Sequence, residues 1–161
     1  MAEAIAFAGD SKASRYAELV PQIASLVDGE PDLIANLANV AAAVRACLPI
    51  ASWVGWYVRR GDELVLGPFQ GNVACVRIKL GRGVCGTAAA ERRTVIVDDV
   101  EQFPGHIACD AGARSEIVVP VLRGGEVVAV LDVDSYELAA FDGDDAAGLA
   151  RVVDLVSALA W

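Results

Sequence analysis

The stretch EIVVPVLRGGEVVAVLDVDS, residues 116–135, constrains the fold more than any other part of the chain. Two apolar, β-branched runs, Glu116 to Leu122 and Val127 to Asp134, flank Gly124-Gly125 and read as an antiparallel hairpin. The loop length decides what faces what. With a two-residue turn, Arg123 pairs with Glu126 and Glu116 falls opposite Val133. With a three-residue loop, Leu122 pairs with Glu126 and Glu116 falls opposite Asp132. A one-residue change of register carries a side chain to the other sheet face. Asp132 and Asp134 share a face at the strand end, roughly 6–7 Å apart. Glu116 joins them only through the longer loop or an equivalent bulge.

The rest of the chain supplies the other layers. Tyr16 to Val27 has helical spacing in Leu19, Val20, Ile23, Leu26 and Val27, with Pro21 predicting a kink or a late start. Asp28-Gly29 ends it, and Pro31 suits the first turn of a second helix. That helix presents Leu33, Ile34, Leu37, Val40, Val44 and Leu48 and closes at Pro49. Ser52 to Arg59 and Glu63 to Phe69 form a hairpin around Gly61-Asp62. Val73 to Ile78 and Thr94 to Val97 read as short strands, with a short helix opening after Gly81-Arg82-Gly83. Asp142 caps a last helix, with Asp145 as its capping-box partner and Leu149, Val152, Val153, Val156 and Leu159 as its buried stripe. Helices, then a run of mostly antiparallel strands, then a helix, predict an α+β fold with the N- and C-terminal helices on one face of a central sheet. Loops and the short helix between Gly71 and Gly112 must cover the other face, and a ligand pocket belongs under them. Residues 1–15 are expected to form a flexible N-terminus and 16–161 a single domain.

Charge and cysteine usage narrow the function. A net charge of −9 argues against nucleic acid and anionic membrane as partners. The N-terminus has an acid before its short apolar patch and no basic region, so it is not read as a secretory signal. No apolar run approaches the ~20 residues that span a bilayer. A cytoplasmic protein is expected, in which Cys47, Cys75, Cys85 and Cys109 do not form a structural disulfide framework. With no C-x-x-C pair and a single histidine, a metal site is not expected either.

The loop GHIACDAGARSE gathers His106, Cys109, Asp110, Arg114 and Glu116. Positive neighbours favour the reactive thiolate at Cys109; the ordinary reading is a small buried thiol, and local sequence favours it. Cys85, in GRGVCGTAAA, falls in the first helical turn, where amide groups and the dipole favour an anion. A glycine-dependent turn with a packing thiol is the simpler account. Cys75 reads as a strand filler and Cys47 as core packing. Asp132 and Asp134 are a solvated rim or, in a closed pocket, raise each other's pKa so that one holds a proton. Trp53 and Tyr57 flank Gly55 on one strand face and leave a slot for a small ligand, or are ordinary core.

Taken together, LVLGPFQGNVACVRIKLGRGVCGTAAAERR, VDDVEQFPGHIACDAGARSEIVVPV and VAVLDVDS closely resemble the free methionine-(R)-sulfoxide reductases, which are single-domain GAF proteins. The resemblance runs from about Tyr16 to Leu159. It implies a GAF-like fold and thiol-dependent reduction of free L-methionine (R)-sulfoxide. It further implies Cys109 as nucleophile, Cys75 as resolving cysteine, and Cys85 as a third cysteine able to take that part. It marks Glu116, Asp132 and Asp134 as pocket carboxylates, and Trp53 and Tyr57 as an aromatic wall. It implies a homodimer recycled by thioredoxin, with no metal or organic cofactor. The carboxyl groups would protonate the sulfoxide oxygen and pair with the substrate ammonium. The main rival is a non-enzymatic GAF sensor of a small molecule; a thiol peroxidase is the second.

Overall fold

The computed structural model describes residues 4–161. Two helices, α1 (Lys12–Val27) and α2 (Leu33–Cys47), precede strands β1 (Trp53–Arg60), β2 (Glu63–Gln70) and β3 (Arg77–Lys79). Helix α3 (Gly83–Glu91) and strand β4 (Val95–Val97) follow, then β5 (Ser115–Arg123), β6 (Glu126–Ser135) and helix α4 (Gly143–Ser157). The strands make one sheet in the order β3-β2-β1-β6-β5-β4, with every pairing antiparallel. No helix among the described residues is long and apolar enough to cross a membrane.

Strand alternation divides the sheet into two faces. Val54, Trp56 and Val58 of β1, Ile117, Val119 and Val121 of β5, and Ala129, Leu131 and Val133 of β6 form one core with α1, α2 and α4. Trp56 is wholly buried there, and its indole N–H donates to the Leu37 carbonyl at 2.9 Å, which satisfies its one polar atom. The intervening positions Trp53, Tyr57, Val118 and Val130 face a second, smaller core under α3 and the loops around it.

The Asp142–Asp145 cap formed as expected, and α1 has a box of its own. Ser11 and Ser14 box the start of α1, and Asp142 and Asp145 box α4. Several boundaries moved. Helix α1 starts at Lys12 and runs through Pro21, whose ring lies on the exposed side, so it neither ends nor delays the helix. The N-terminal segment expected to be flexible is tied down where it is described. Ile5 and Phe7 pack against the core, and the Ala6 and Ala8 amides donate to Gln22 and Glu18; residues 1–3 lie outside the described residues. Pro31 precedes α2 and Asp32 caps it, while Ile34 lies 59% exposed and off the buried stripe. Residues 73–76 form a loop, and the short strand begins only at Arg77.

Helices α1 and α4 lock together through one buried contact. The Tyr16 ring covers Gly148 so closely that a Cβ there would meet ring carbons. The ring cannot swing away, because its hydroxyl donates to Asp145 Oδ1 at 2.9 Å. Asp145 is fully buried and also receives Lys12 Nζ and the Asp142 amide. Gly148→Ala is therefore expected to destabilise the fold by about 1–3 kcal/mol through overpacking. A lower urea midpoint with an unchanged slope would show it; an unchanged midpoint would mean that the helices slide apart at no cost.

Candidate active site

Hairpin register builds the acidic wall. The turn is two residues long, with Gly124 and Gly125 both at positive φ (57° and 80°) and Arg123 opposite Glu126. Unbroken, this pairing would put Glu116 opposite Val133. A bulge intervenes: Leu122 pairs with Val127, but Val121 pairs with Ala129. The extra residue, Val128, packs with Ala129 on the helix side. The slip brings Glu116 opposite Asp134 and Val118 opposite Asp132. All three carboxyl groups thus meet on the face away from the helices. The required register is reached by a bulge, and in the direction opposite to that of a three-residue loop.

These carboxyl groups lie at different depths. Glu116 and Asp132 are each only 6% exposed, and Asp134 is half-buried. Burial, then the charges of Asp132 and Asp134, pushes the Glu116 pKa well up. Burial, then the charge of Asp132, does the same to Asp134. Asp132 is pushed up to about 6, with burial partly offset by neighbouring Cys85 and Glu116. The three groups together therefore favour keeping protons, and Asp132 is shifted least among them. Asp132 Oδ1 is buried and has no hydrogen-bond partner among the described residues. Such an oxygen in a cleft is suited to receive a charged donor.

Cys85 sits in the first turn of α3, as its spacing predicts, but its surroundings reverse the expected effect. Its Sγ lies 3.9 Å from Glu116 Oε1, and the ligand atoms of Cys85, Glu116 and Asp132 all fall within 4.8 Å of one another. Burial, followed by the charges of Asp132 and Glu116, pushes the thiol pKa well above its usual value. Desolvation and like charge outweigh the helix dipole. Cys85 is a neutral thiol here. Cys47 is fully buried in the helix-side core.

Cys75 and Cys109 are joined in a disulfide, with their Cα atoms 5.2 Å apart across 34 residues of sequence. Both lie on loops and both are half-buried. The aromatic wall holds the Cys75 loop from beneath. The Tyr57 hydroxyl donates to the Cys75 carbonyl at 3.0 Å, and Trp53 Nε1 donates to the Asn72 carbonyl at 3.0 Å. These bonds use backbone acceptors just before and within the first half of the segment read as a strand. The slot expected at Gly55 is filled by the Trp53 indole itself, which stacks on Phe69 at 5.2 Å and on Tyr57 at 6.0 Å. His106 lines the cleft, but burial lowers its pKa, so it brings no positive charge to Cys109 at neutral pH. Arg114 is held by backbone bonds to Val100 and Ser135 and does not line the cleft.

The cleft has two lobes that share Tyr57, Cys109, Asp110, Asp132 and Asp134. The larger holds about 390 Å³ of space, part of it open to solvent, and reaches Arg82, Cys85, His106 and Glu116. The smaller, about 220 Å³, reaches Trp53, Val73 and Ala74.

Residues 32–159 match the GAF domain family. The chain is 50% identical over 157 residues to GAF domain-containing protein A of Dictyostelium discoideum, covering 97% of this chain and 99% of that one. It is 45% identical over 143 residues to the free methionine-R-sulfoxide reductase of Escherichia coli, covering 89% of this chain and 87% of the relative. The structure of free methionine-R-sulfoxide reductase from Neisseria meningitidis, in complex with its substrate, matches with a TM-score of 0.94 at 48% identity, covering 98% and 94% of the two chains. This chain belongs to the free methionine-R-sulfoxide reductase family of GAF domains.

Around the cleft of this free methionine-R-sulfoxide reductase fold stand three groups that the sequence left unmarked. Phe69 backs Trp53, Arg82 brings the only arginine to the cleft wall, and Tyr136 ties the two cysteine loops together. Phe69 could have been found by asking what lies across the sheet from Gly55, its actual partner. Arg82 and Tyr136 carried no local signal. Tyr136 acts on segments distant in sequence.

Proposed function

We propose that this chain reduces free L-methionine (R)-sulfoxide to methionine. The observation that carries the reading is the Cys75–Cys109 disulfide at the mouth of an acid-lined cleft. In the reduced protein, a Cys109 thiolate attacks the sulfoxide sulfur while a neutral carboxyl group, Glu116 foremost, protonates the sulfoxide oxygen. The oxygen passes to Cys109, which becomes a sulfenic acid, and methionine leaves as the sulfide. The substrate is reduced by two electrons and the cysteine is oxidised by two. The Cys75 thiol then condenses with the sulfenic acid, releasing water and forming the disulfide. A dithiol, assigned to thioredoxin, restores both thiols by exchange.

Recognition of the free amino acid follows from the same groups. The α-ammonium donates to the Asp132 carboxyl group, whose Oδ1 has no other partner among the described residues. The α-carboxylate has Arg82 and the first amides of α3 beside it on the cleft wall. Trp53 and Tyr57 receive the S-methyl group. Cys85 lines the same larger lobe as Cys109 and serves as a reserve thiol. We read residues 16–161 as the single domain, working in the cytoplasm as a homodimer.

Methionine release should be measured from free (R)- and (S)-methionine sulfoxide and from an N-acetylated sulfoxide, with thioredoxin as reductant. Only the free (R) epimer is expected to turn over, because acetylation removes the ammonium. No release by the fully reduced protein would overturn the reading in favour of a sensor.

A further inference from the structure

One side chain touches both cysteine loops without being part of either. Tyr136 follows directly after β6, the strand that carries Asp132 and Asp134. Its hydroxyl accepts from Asn72 Nδ2 at 3.0 Å and donates to Asp110 Oδ2 at 2.9 Å. Asn72 lies three residues before Cys75, and Asp110 directly follows Cys109. The arrangement is chemically determinate. An ionised carboxylate only accepts and an amide NH₂ only donates, so the phenol must relay between them. Both ends are anchored further. Asp110 Oδ1 accepts from the Gly112 amide at 2.9 Å, Gly112 lies against the Tyr136 ring, and the Asn72 carbonyl holds the Trp53 indole.

We propose that Tyr136 is a positioning residue that keeps the Cys75 and Cys109 loops together when the disulfide is open, so that the sulfenic acid is captured by Cys75. This rests on the functional reading above only for the origin of the sulfenic acid. The disulfide already joins the loops when oxidised, so the hydrogen-bonded relay matters in the reduced enzyme. There it raises the effective concentration of one thiol at the other. Of the relay only Asp110 reaches the cleft lining; Tyr136 and Asn72, the residues substituted, do not, so their loss acts on resolution and not on the attack on the sulfoxide.

Two measurements test it, using the full chain and Tyr136→Phe, with Asn72→Ala as a second variant. The first sets the Cys75–Cys109 pair against a glutathione redox buffer, with no sulfoxide present. Loss of the relay should shift the equilibrium toward the dithiol by about tenfold, the scale of one or two hydrogen bonds. The second mixes reduced protein with free methionine (R)-sulfoxide in the absence of reductant. Methionine should appear at the wild-type rate while the disulfide forms about tenfold more slowly, with a dimedone adduct accumulating on Cys109. A glutathione equilibrium equal to wild type in both variants would overturn the proposal. Failure of wild type to release methionine would instead overturn the functional reading and leave the glutathione result to judge Tyr136.

Discussion

Cys109→Ser is expected to abolish methionine release, a loss of more than about 10³-fold, as for deletion of a catalytic nucleophile. The alternative thiols are poorly placed to replace it. Cys85 is held neutral by burial and by the charges of Asp132 and Glu116, so it offers almost no thiolate at neutral pH. Cys47 lies in the helix-side core, remote from the cleft lining. Cys75 shares the disulfide, but only Cys109 lines both lobes of the cleft. The informative comparison is a single turnover of reduced protein. Cys75→Ser should release methionine once and stop with Cys109 oxidised, whereas Cys109→Ser should release none. Release that survives Cys109→Ser would transfer the nucleophile to Cys85 and require its thiol to ionise when substrate binds.

Glu116→Gln carries the second largest effect. The substitution keeps shape and burial but removes the transferable proton, so kcat/KM should fall by about 10²–10⁴-fold. Its pH signature separates an acid from a binding group. In wild type, kcat/KM should decline on the alkaline side as the raised carboxyl groups ionise. The Gln variant should lose the alkaline decline or have it shifted. Stability depends on the same carboxyl groups. Glu116 and Asp134 have folded pKa values above their unfolded ones, so the folded state binds more protons across that window. Stability of the substrate-free protein therefore falls as pH rises above about 4, where the unfolded carboxyl groups ionise, until the folded groups have ionised too. Glu116→Gln removes part of that slope. Urea midpoints at pH 5 and pH 8 should lie closer together in the variant than in wild type. Equal separation would mean that Glu116 is not protonated in the fold.

Much of the molecule can be read along the chain because its causes are local. A hydroxyl or carboxylate before an apolar helical stripe caps a helix wherever it lies, so Asp142 with Asp145 formed as expected. Strand alternation puts Asp132 and Asp134 on one face without reference to any partner strand. Gly61-Asp62 and Gly124-Gly125 mark the hairpins. The acid pair and the helix–sheet–helix order were accordingly legible from residues alone, whereas the joining of Cys75 to Cys109 was reached through family resemblance and not through spacing.

Other features arise between segments and leave no local trace. The bulge at Val128 brings Glu116 onto the acidic face, and whether the strand bulges depends on packing against the helices. The neutrality of Cys85 comes from carboxyl groups 31 and 47 residues away, because desolvation and Coulomb repulsion act through space. His106 and Arg114, neighbours of Cys109 in sequence, give it no positive charge, while Tyr136, 27 residues on, reaches across to both cysteine loops. Backbone preference and side-chain period are set within a few residues and are visible in one dimension. Register, burial and charge proximity depend on which distant surfaces close on one another, and they exist only once the chain has folded.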